Sequence, residues 1–183
     1  MRGQYDGCMT KSISAAELKP LLKLEPHPRE GGWFAETWRA EERIPKGVLP
    51  ERYTGERRAG TAIYYLLEPD NFSEMHRLAS DEVFHFYLGD PVEMLQLGPD
   101  GTGRRVVLGS DVAAGMLLQT VVPQGVWQGS RLMRGGRFAL LGCTVSPGFD
   151  YADYDSGQRA ALALRWPEWR EMIEGLTHAP TPE

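Results

Sequence analysis

Short runs of β-branched and aromatic residues follow one another along the chain from residue 61 to residue 145. Each run ends at a glycine or proline within about ten residues, which is the spacing of an antiparallel sandwich or barrel. No helical segment separates the runs, so a parallel sheet built from βαβ units is not expected. The pattern predicts an all-β protein with strands in the segments TAIYYLL, VFHFYLG, VEMLQLG, RRVVLG, GMLLQTVVP and RFALLGCTV.

Helical patterns are confined to the two ends of the chain. Ser14 and Glu17 have the spacing of a capping box, but Pro20 removes a backbone donor and predicts a short or interrupted helix. Near the C-terminus, residues 157–165 form one candidate helix, and Pro167 fits the first turn of a second. The apolar stripe expected on the second helix consists of Trp169, Met172, Ile173 and Leu176.

The chain is predicted to consist of a flexible leader, residues 1–13, and one domain, residues 14–183, of ordinary size. The leader lacks the apolar core of a secretory signal. Within the domain, the segment WFAETWRA predicts a first strand, and the polar residues 41–60 predict a long loop or loose hairpin.

Composition and charge exclude several classes of function. Hydrophobic residues make up 42% of the chain and charged residues 25%, which is typical of a folded globular protein. The net charge of −5 argues against a nucleic-acid partner, because such binding relies on basic groups that face phosphates. No apolar stretch approaches the roughly 20 residues that cross a bilayer. No nucleic-acid or membrane partner is therefore expected.

The two cysteines, Cys8 and Cys143, are too few for a disulfide framework. Two free thiols in a reducing compartment are expected, with one disulfide between them as the alternative. The predicted location is the cytoplasm.

Two stretches of the chain resemble the halves of the cupin pattern, G-x5-H-x-H-x3,4-E-x6-G followed by G-x5-P-x-G-x2-H-x3-N. In SEMHRLASDEVFHFYLGD, Glu74 stands at the first histidine position, His76 at the second and Glu82 at the glutamate. In GMLLQTVVPQGVWQG, Gln128 stands at the position of the last histidine. The spacing departs from the pattern twice, with five residues between His76 and Glu82 and seven between the first glycine and the proline of the second half.

The chain also resembles one branch of the cupins, a family of small single-domain proteins of unknown function. The blocks EPHPREGGWFAETWR, TAIYYLL, VVPQGVWQ and LLGCTVSPGFDYADY carry the resemblance, which extends from residue 22 to residue 154. It implies a double-stranded β-helix (a cupin jelly-roll barrel) and frequent homodimers. It also implies kinship in fold with the dTDP-4-dehydrorhamnose 3,5-epimerases, without an established reaction.

The same resemblance raises the question of a metal. Metal-binding cupins hold a divalent transition metal with three histidines and a carboxylate. Of that set this chain retains His76 and Glu82, while Glu74 and Gln128 replace the other two histidines, and a neutral amide is a poor metal ligand. A divalent metal is therefore disfavoured, and a metal-free polar pocket is predicted.

His76 and Glu82 are the candidate catalytic residues, because a histidine beside a carboxylate can act as a general base near neutral pH. Strand alternation places Glu82 on the inner face and His85 on the outer face, where a structural contribution is expected. His27 and His178 are predicted to be solvated. The aromatic residues predicted to belong to the core are Phe34, Trp38 and Phe149. The candidate ligand-binding residues are Glu74, Gln119, Trp127, Gln128, Trp33 and Tyr64.

Three functional hypotheses follow from this pocket. The leading one is a cupin that binds a small polar metabolite and acts as a sugar-type isomerase or epimerase, with His76 removing a proton next to a carbonyl. The alternative is a non-catalytic ligand-binding or sensor protein that uses the same pocket. A metal-dependent dioxygenase is the third hypothesis, which the missing histidines disfavour. The sequence does not choose between the first two.

Overall fold

Two antiparallel sheets face each other in the computed structural model, which describes residues 13–178. The larger sheet has six strands, in the spatial order β1 (Glu25–Pro26), β2 (Trp33–Arg39), β5 (Thr61–Leu67), β12 (Ala139–Ser146), β7 (Asp81–Gly89) and β10 (Gln119–Val122). The smaller sheet has five, in the order β13 (Tyr154–Ser156), β6 (Ser73–Leu78), β11 (Trp127–Leu132), β8 (Val92–Leu97) and β9 (Gly103–Leu108). The predicted double-stranded β-helix is confirmed.

The chain between the first two long strands forms the loose hairpin that its polar composition predicts. It contains the short strands β3 (Arg43–Ile44) and β4 (Arg57–Arg58), which pair with each other. A single 3₁₀ turn, Lys46–Val48, lies in the loop between them. The predicted leader lies, except for Ile13, outside the described residues, and so does Cys8.

The α-helices lie at the two ends of the described chain, as predicted. Helix α1 (Ala15–Leu21) begins with the predicted capping box and contains Pro20. Helices α2 (Arg159–Arg165) and α3 (Arg170–Gly175) follow the last strand, with a 3₁₀ turn at Pro167–Trp169 between them. Within residues 13–178, no helix is long and apolar enough to cross a membrane.

Alternation along the strands divides the apolar residues between an inner core and two outer layers. On β7, Phe84 and Phe86 point between the sheets and pack with Tyr65 and Leu141. The outer face of the smaller sheet packs against α2 and α3, and part of the outer face of the larger sheet packs against α1. Elsewhere on the outer face of the larger sheet, Tyr87 and Val121 are exposed within residues 13–178.

Candidate functional site

A cavity of about 140 Å³ lies inside the barrel, with walls from both sheets. Its buried polar residues include His76 on β6, Glu82 on β7 and Cys143 on β12. Exposed side chains, Glu36 and Tyr151 among them, also line it and form its mouth. The remaining lining residues are His27, Glu30, Phe34, Arg39, Thr61, Ile63, Leu78, Val145 and Phe149.

The protein holds His76 by both ring nitrogens. Its Nδ1 lies 2.7 Å from the backbone oxygen of Glu74, and because a carbonyl only accepts, Nδ1 carries a proton. In the neutral ring, Nε2 then accepts from the side-chain nitrogen of Gln128 at 3.3 Å. The ring of Tyr154 stacks on the imidazole with centroids 4.9 Å apart. His76 therefore has a fixed orientation and a defined tautomer.

Gln128 connects His76 to Glu82. Strand β11 pairs Gln128 directly with His76 on β6, and the same amide nitrogen donates a hydrogen bond to Oε2 of Glu82 across the barrel. The amide is 1% exposed, and its oxygen has no hydrogen-bond partner among the described residues. The three residues form one buried polar group.

Glu82 has a carboxyl group that titrates near neutral pH. Burial, reinforced by the nearby Glu30 carboxylate, raises its pKa to about 7, although His76 and the hydrogen bonds from Gln128 and Cys143 act in the opposite direction. Burial also raises the pKa of the Cys143 thiol, which therefore stays protonated and can donate to Glu82. A carboxyl group with this pKa can both accept and return a proton at neutral pH.

Glu30 places a carboxylate between two imidazoles. Its Oε1 lies 3.9 Å from Nε2 of His76, and its Oε2 lies 3.8 Å from Nε2 of His27. The hydroxyl of Ser73 donates to Oε1. Nothing in the cupin pattern marks Glu30, so it was not among the residues predicted for the site.

The prediction that His27 is solvated is wrong. Pro26 pairs with Trp33 in the larger sheet, so the loop between β1 and β2 folds back over the barrel, and the His27 side chain is only 5% exposed. Gly31 makes this path possible, because its φ is +94° and a Cβ there would lie 2.3 Å from the backbone oxygen of Phe72. The Gly31-Gly32 pair was the available signal for this close approach.

Glu74 lies behind His76 and does not line the cavity. Its backbone carbonyl orients the imidazole, and its carboxylate accepts hydrogen bonds from Tyr154 and Ser156, each at 2.8 Å. The exposed His178 lies 3.7 Å from the same carboxylate, so the expectation of a solvated His178 agrees with the structure. The prediction that Glu74 contacts the ligand is corrected to a contact with His76.

Gln119 and Trp127 lie outside the cavity, which corrects their prediction as ligand-binding residues. Gln119 is on the outer face of β10, where its amide bonds His85 at 3.0 Å, and His85 also bonds Thr144 at 3.2 Å. Trp127 packs under α2 and α3 with Arg77 over its ring. Each side chain has the strand parity that points away from the inner face, as predicted for His85.

Trp33 and Tyr64 are also outside the cavity, for the same reason. Trp33 packs beneath α1 with the ammonium of Lys19 3.9 Å from its ring centroid. Tyr64 contacts Tyr87 edge to face on the outer surface of the larger sheet. The prediction that these two rings contact a ligand in the barrel is corrected.

The aromatic residues that line the cavity are different from those predicted to bind a ligand. Phe34 and Phe149, predicted to be core, line the cavity, and Tyr151 packs edge to face on Phe149. Trp38, also predicted to be core, is 51% exposed because a bulge in β2 shifts its register against β5.

A buried ion pair holds the turn that carries Tyr151. The Arg57 guanidinium donates to both carboxylate oxygens of Asp153 at 2.7 and 2.6 Å, and both side chains are 4% exposed. The pair ties the β3–β4 hairpin to the 3₁₀ turn Tyr151–Asp153 at the cavity wall.

The residues present do not fit the metal of other cupins. The Glu74 carboxylate is engaged by Tyr154 and Ser156, and Gln128 presents a donating amide nitrogen to Glu82. Among residues 13–178, no three histidine, cysteine, aspartate or glutamate side chains are placed to hold a metal ion.

Comparisons with known proteins agree with this architecture. A family model described as "Cupin superfamily (DUF985)" matches residues 17–156. An uncharacterized protein of Saccharomyces cerevisiae, YML079W, is 31% identical over 134 residues, covering 69% of this chain and 67% of that protein. A hypothetical protein from Leishmania major superposes with a TM-score of 0.82 at 32% identity, covering 91% of this chain and all of that one. Protein SO0799 from Shewanella oneidensis gives 0.79 at 32% identity, covering 94% and 100%.

Proposed function

This chain belongs to the DUF985 family of the cupin superfamily, and from that premise we propose that its barrel binds a small neutral polar molecule and catalyses a proton transfer on it. The reaction class is that of a sugar-type isomerase or epimerase. The observation that carries the proposal is the Glu82 carboxyl, which has a pKa of about 7 and lies in the wall of the cavity.

The cavity volume sets the size of the ligand. At about 140 Å³ it is similar to an engineered protein cavity of about 150 Å³ that holds benzene. A single six-membered ring therefore fits, and larger substituents would extend through the mouth. The inner carboxylates of Glu30 and Glu82 disfavour an anionic group inside the barrel, so the enclosed part of the ligand is neutral.

Glu82 is the proton acceptor in this proposal, in place of His76. The Glu82 carboxylate removes a proton from a carbon next to a carbonyl, the C–H electrons form a carbon–carbon double bond, and the carbonyl electrons move to oxygen. The resulting Glu82 carboxylic acid then returns the proton to the enolate. His76 positions Glu82 through Gln128, since its own ring nitrogens already have protein partners.

One observation favours the second candidate function, a non-catalytic ligand-binding or sensor protein. Glu74 and Gln128 engage both nitrogens of His76, and Gln128 and Cys143 donate hydrogen bonds to Glu82, so each candidate base already has protein partners. The two candidates differ in whether the bound molecule exchanges protons.

The test uses tetrahydropyran-4-one, a neutral six-membered ring ketone, in D2O at neutral pH. We expect the wild-type protein to accelerate deuterium incorporation at the carbons next to the carbonyl, followed as loss of their proton NMR signals. Glu82→Gln should reduce that rate by at least about 100-fold, because the variant lacks the general base.

His85→Ala is the matched control, because His85 is on the same strand and faces outward. It should leave the exchange rate within a factor of about two, as expected for a group remote from the reacting atoms. Wild-type protein that binds the ketone without exchange would support the sensor, and equal rates for wild type and Glu82→Gln would refute proton transfer by Glu82.

We also propose that the chain forms a homodimer through the open outer face of the larger sheet. Tyr87 is 50% exposed and Val121 45% exposed on neighbouring strands of this face, and no helix of the described chain covers them. A second copy related by a twofold axis would cover this surface.

Val121→Glu is therefore expected to convert the dimer to a monomer, because it would bury a charge in the interface. Light scattering at micromolar concentration measures the mass. Leu164→Glu is the control, since Leu164 is 82% exposed on α2 over the other sheet, and it should remain dimeric. A wild-type protein with the mass of one chain would contradict the proposal.

A further inference from the structure

His27 has a defined proton position. Its Nδ1 accepts hydrogen bonds from the backbone N–H groups of Glu30, at 2.8 Å, and Arg29, at 3.4 Å. A neutral imidazole whose Nδ1 accepts carries its proton on Nε2. His27 is therefore a hydrogen-bond donor at the nitrogen that its loop leaves free.

That donor has no hydrogen-bond partner among the described residues. Oε2 of Glu30 is 3.8 Å from Nε2, beyond hydrogen-bond distance. The side chain is 5% exposed and belongs to the cavity wall. A donor in the cavity wall that has no protein partner is available to a ligand that supplies the acceptor.

The environment of His27 favours its neutral form. Burial lowers the pKa of His27, and His76 acts in the same direction, while the carboxylates of Glu30 and Glu74 oppose them. A neutral imidazole can donate a hydrogen bond to a developing oxyanion without transferring a proton.

We infer that His27 is a catalytic residue, whose Nε2–H binds the carbonyl oxygen of a neutral ring ketone while Glu82 moves a proton on the adjacent carbon. The inference rests on the proposed function and adds the substrate class, an uncharged cyclic carbonyl compound with a hydrogen next to the carbonyl. Glu30 then acts as a positioning residue between the two imidazoles.

The proposed step conserves protons and electrons within the site. When Glu82 takes the carbon-bound proton, the carbonyl π electrons become an oxygen lone pair, and the negative charge moves from Glu82 to that oxygen. The His27 N–H bond stays intact and its hydrogen bond strengthens as the charge develops. Return of the proton by Glu82 restores both groups, and no oxidant or further reactant is needed.

Two substitutions separate the functions of the two ring nitrogens. His27→Asn places an amide oxygen near the Nδ1 position, where it can accept from the loop N–H groups, but it provides no donor at the Nε2 position. His27→Gln places an amide nitrogen near the Nε2 position, where it can donate to a carbonyl. The assay is deuterium incorporation into tetrahydropyran-4-one, with wild type and Glu82→Gln in parallel.

We expect His27→Asn to lower the maximal exchange rate about 100-fold, the loss typical for removal of one oxyanion donor. His27→Gln should recover at least about tenfold of that loss, because it restores a donor. If His27→Asn exchanges as fast as wild type while Glu82→Gln is inactive, the inference fails and the proposed function stands. If the wild-type protein does not incorporate deuterium into the ketone, both the inference about His27 and the proposed proton transfer by Glu82 fail.

A measurement on the free protein tests the inference without any ligand. Nitrogen-15 NMR of the His27 ring should report a neutral imidazole with its proton on Nε2 at neutral pH. A charged ring, or a proton on Nδ1, would overturn the inference whatever the exchange rates are.

Discussion

The wild-type protein is expected to lose stability as pH rises through the pKa of Glu82, and Glu82→Gln is expected to be free of this loss. The pKa of Glu82 is raised from an ordinary 4.5 to about 7 by burial and by Glu30, so the folded state binds this proton more tightly than the unfolded chain does. The resulting stabilisation is fully present below about pH 4.5 and is lost as pH rises through about 7, where the loss reaches about 3 kcal/mol. Because Gln cannot ionise, the Glu82→Gln variant does not show this pH-dependent loss of stability.

The measurement is urea unfolding of both proteins at several pH values from about 4 to about 8, which bracket the transition. The wild-type free energy of unfolding minus that of Glu82→Gln should fall by about 3 kcal/mol across this range. A pH-independent difference would show that Glu82 titrates at the same pH in the folded and unfolded states.

Glu93→Gln provides a control of opposite sign. Burial acts to raise the pKa of Glu93, but the hydrogen bonds and charges of Arg131 and Arg105 outweigh it, and the net pKa is lowered. A lowered carboxyl pKa contributes stability that is present at neutral pH and lost as pH falls through the folded-state value. The wild-type advantage over Glu93→Gln should therefore decrease toward acid pH.

Loss of Asp153 is expected to cost about 3 kcal/mol of stability, because Asp153→Ala leaves the buried Arg57 guanidinium without its carboxylate. The turn that carries Tyr151 loses the same attachment. Asp155→Ala is the matched control, because Asp155 lies two residues after Asp153 and also pairs with an arginine, Arg77. The side chains of Asp155 and Arg77 are 54% and 45% exposed. Exposed pairs contribute little, so about 0.5 kcal/mol is expected there.

Urea unfolding of Asp153→Ala, Arg57→Met and the double variant measures the coupling between the two residues. Removing both partners should cost less than the sum of the single substitutions, since the double variant leaves no uncompensated charge. If the losses in unfolding free energy are additive, or are similar for Asp153→Ala and Asp155→Ala, the buried Arg57–Asp153 pair contributes no more to stability than the exposed pair.

The sequence predicted the strands well because strand signals are local. Alternation along DEVFHFYLG sufficed to place Glu82 inward and His85 outward, and hydrophobic runs that end at glycine or proline located most of the long strands. These runs did not mark β6 or β11, whose sequences SEMHRL and WQGSRL are more polar. The cupin pattern located His76, Glu82 and Gln128, which the fold brings together. Both signals depend only on neighbours along the chain.

Contacts between distant segments decided the rest of the site. Trp33 and Tyr64 are aromatic residues on predicted strands, and Trp127 precedes Gln128 of the cupin pattern. Only the packed layers show that these side chains lie under the helices or on the outer surface. Composition cannot distinguish the two faces when both are apolar. The bulge in β2, which exposes Trp38, also has no clear sequence signal.

The amino-acid sequence by itself determined the all-β class, the terminal helices and the inward position of His76 and Glu82, because these follow from periodicity and motif spacing. The tertiary structure alone brought His27 and Glu30 to the cavity, since the loop before β2 must fold back over a barrel that forms from strands far along the chain. It also set the chemistry of Glu82: a carboxyl group has a pKa near 7 only when burial and a neighbouring carboxylate disfavour its charge.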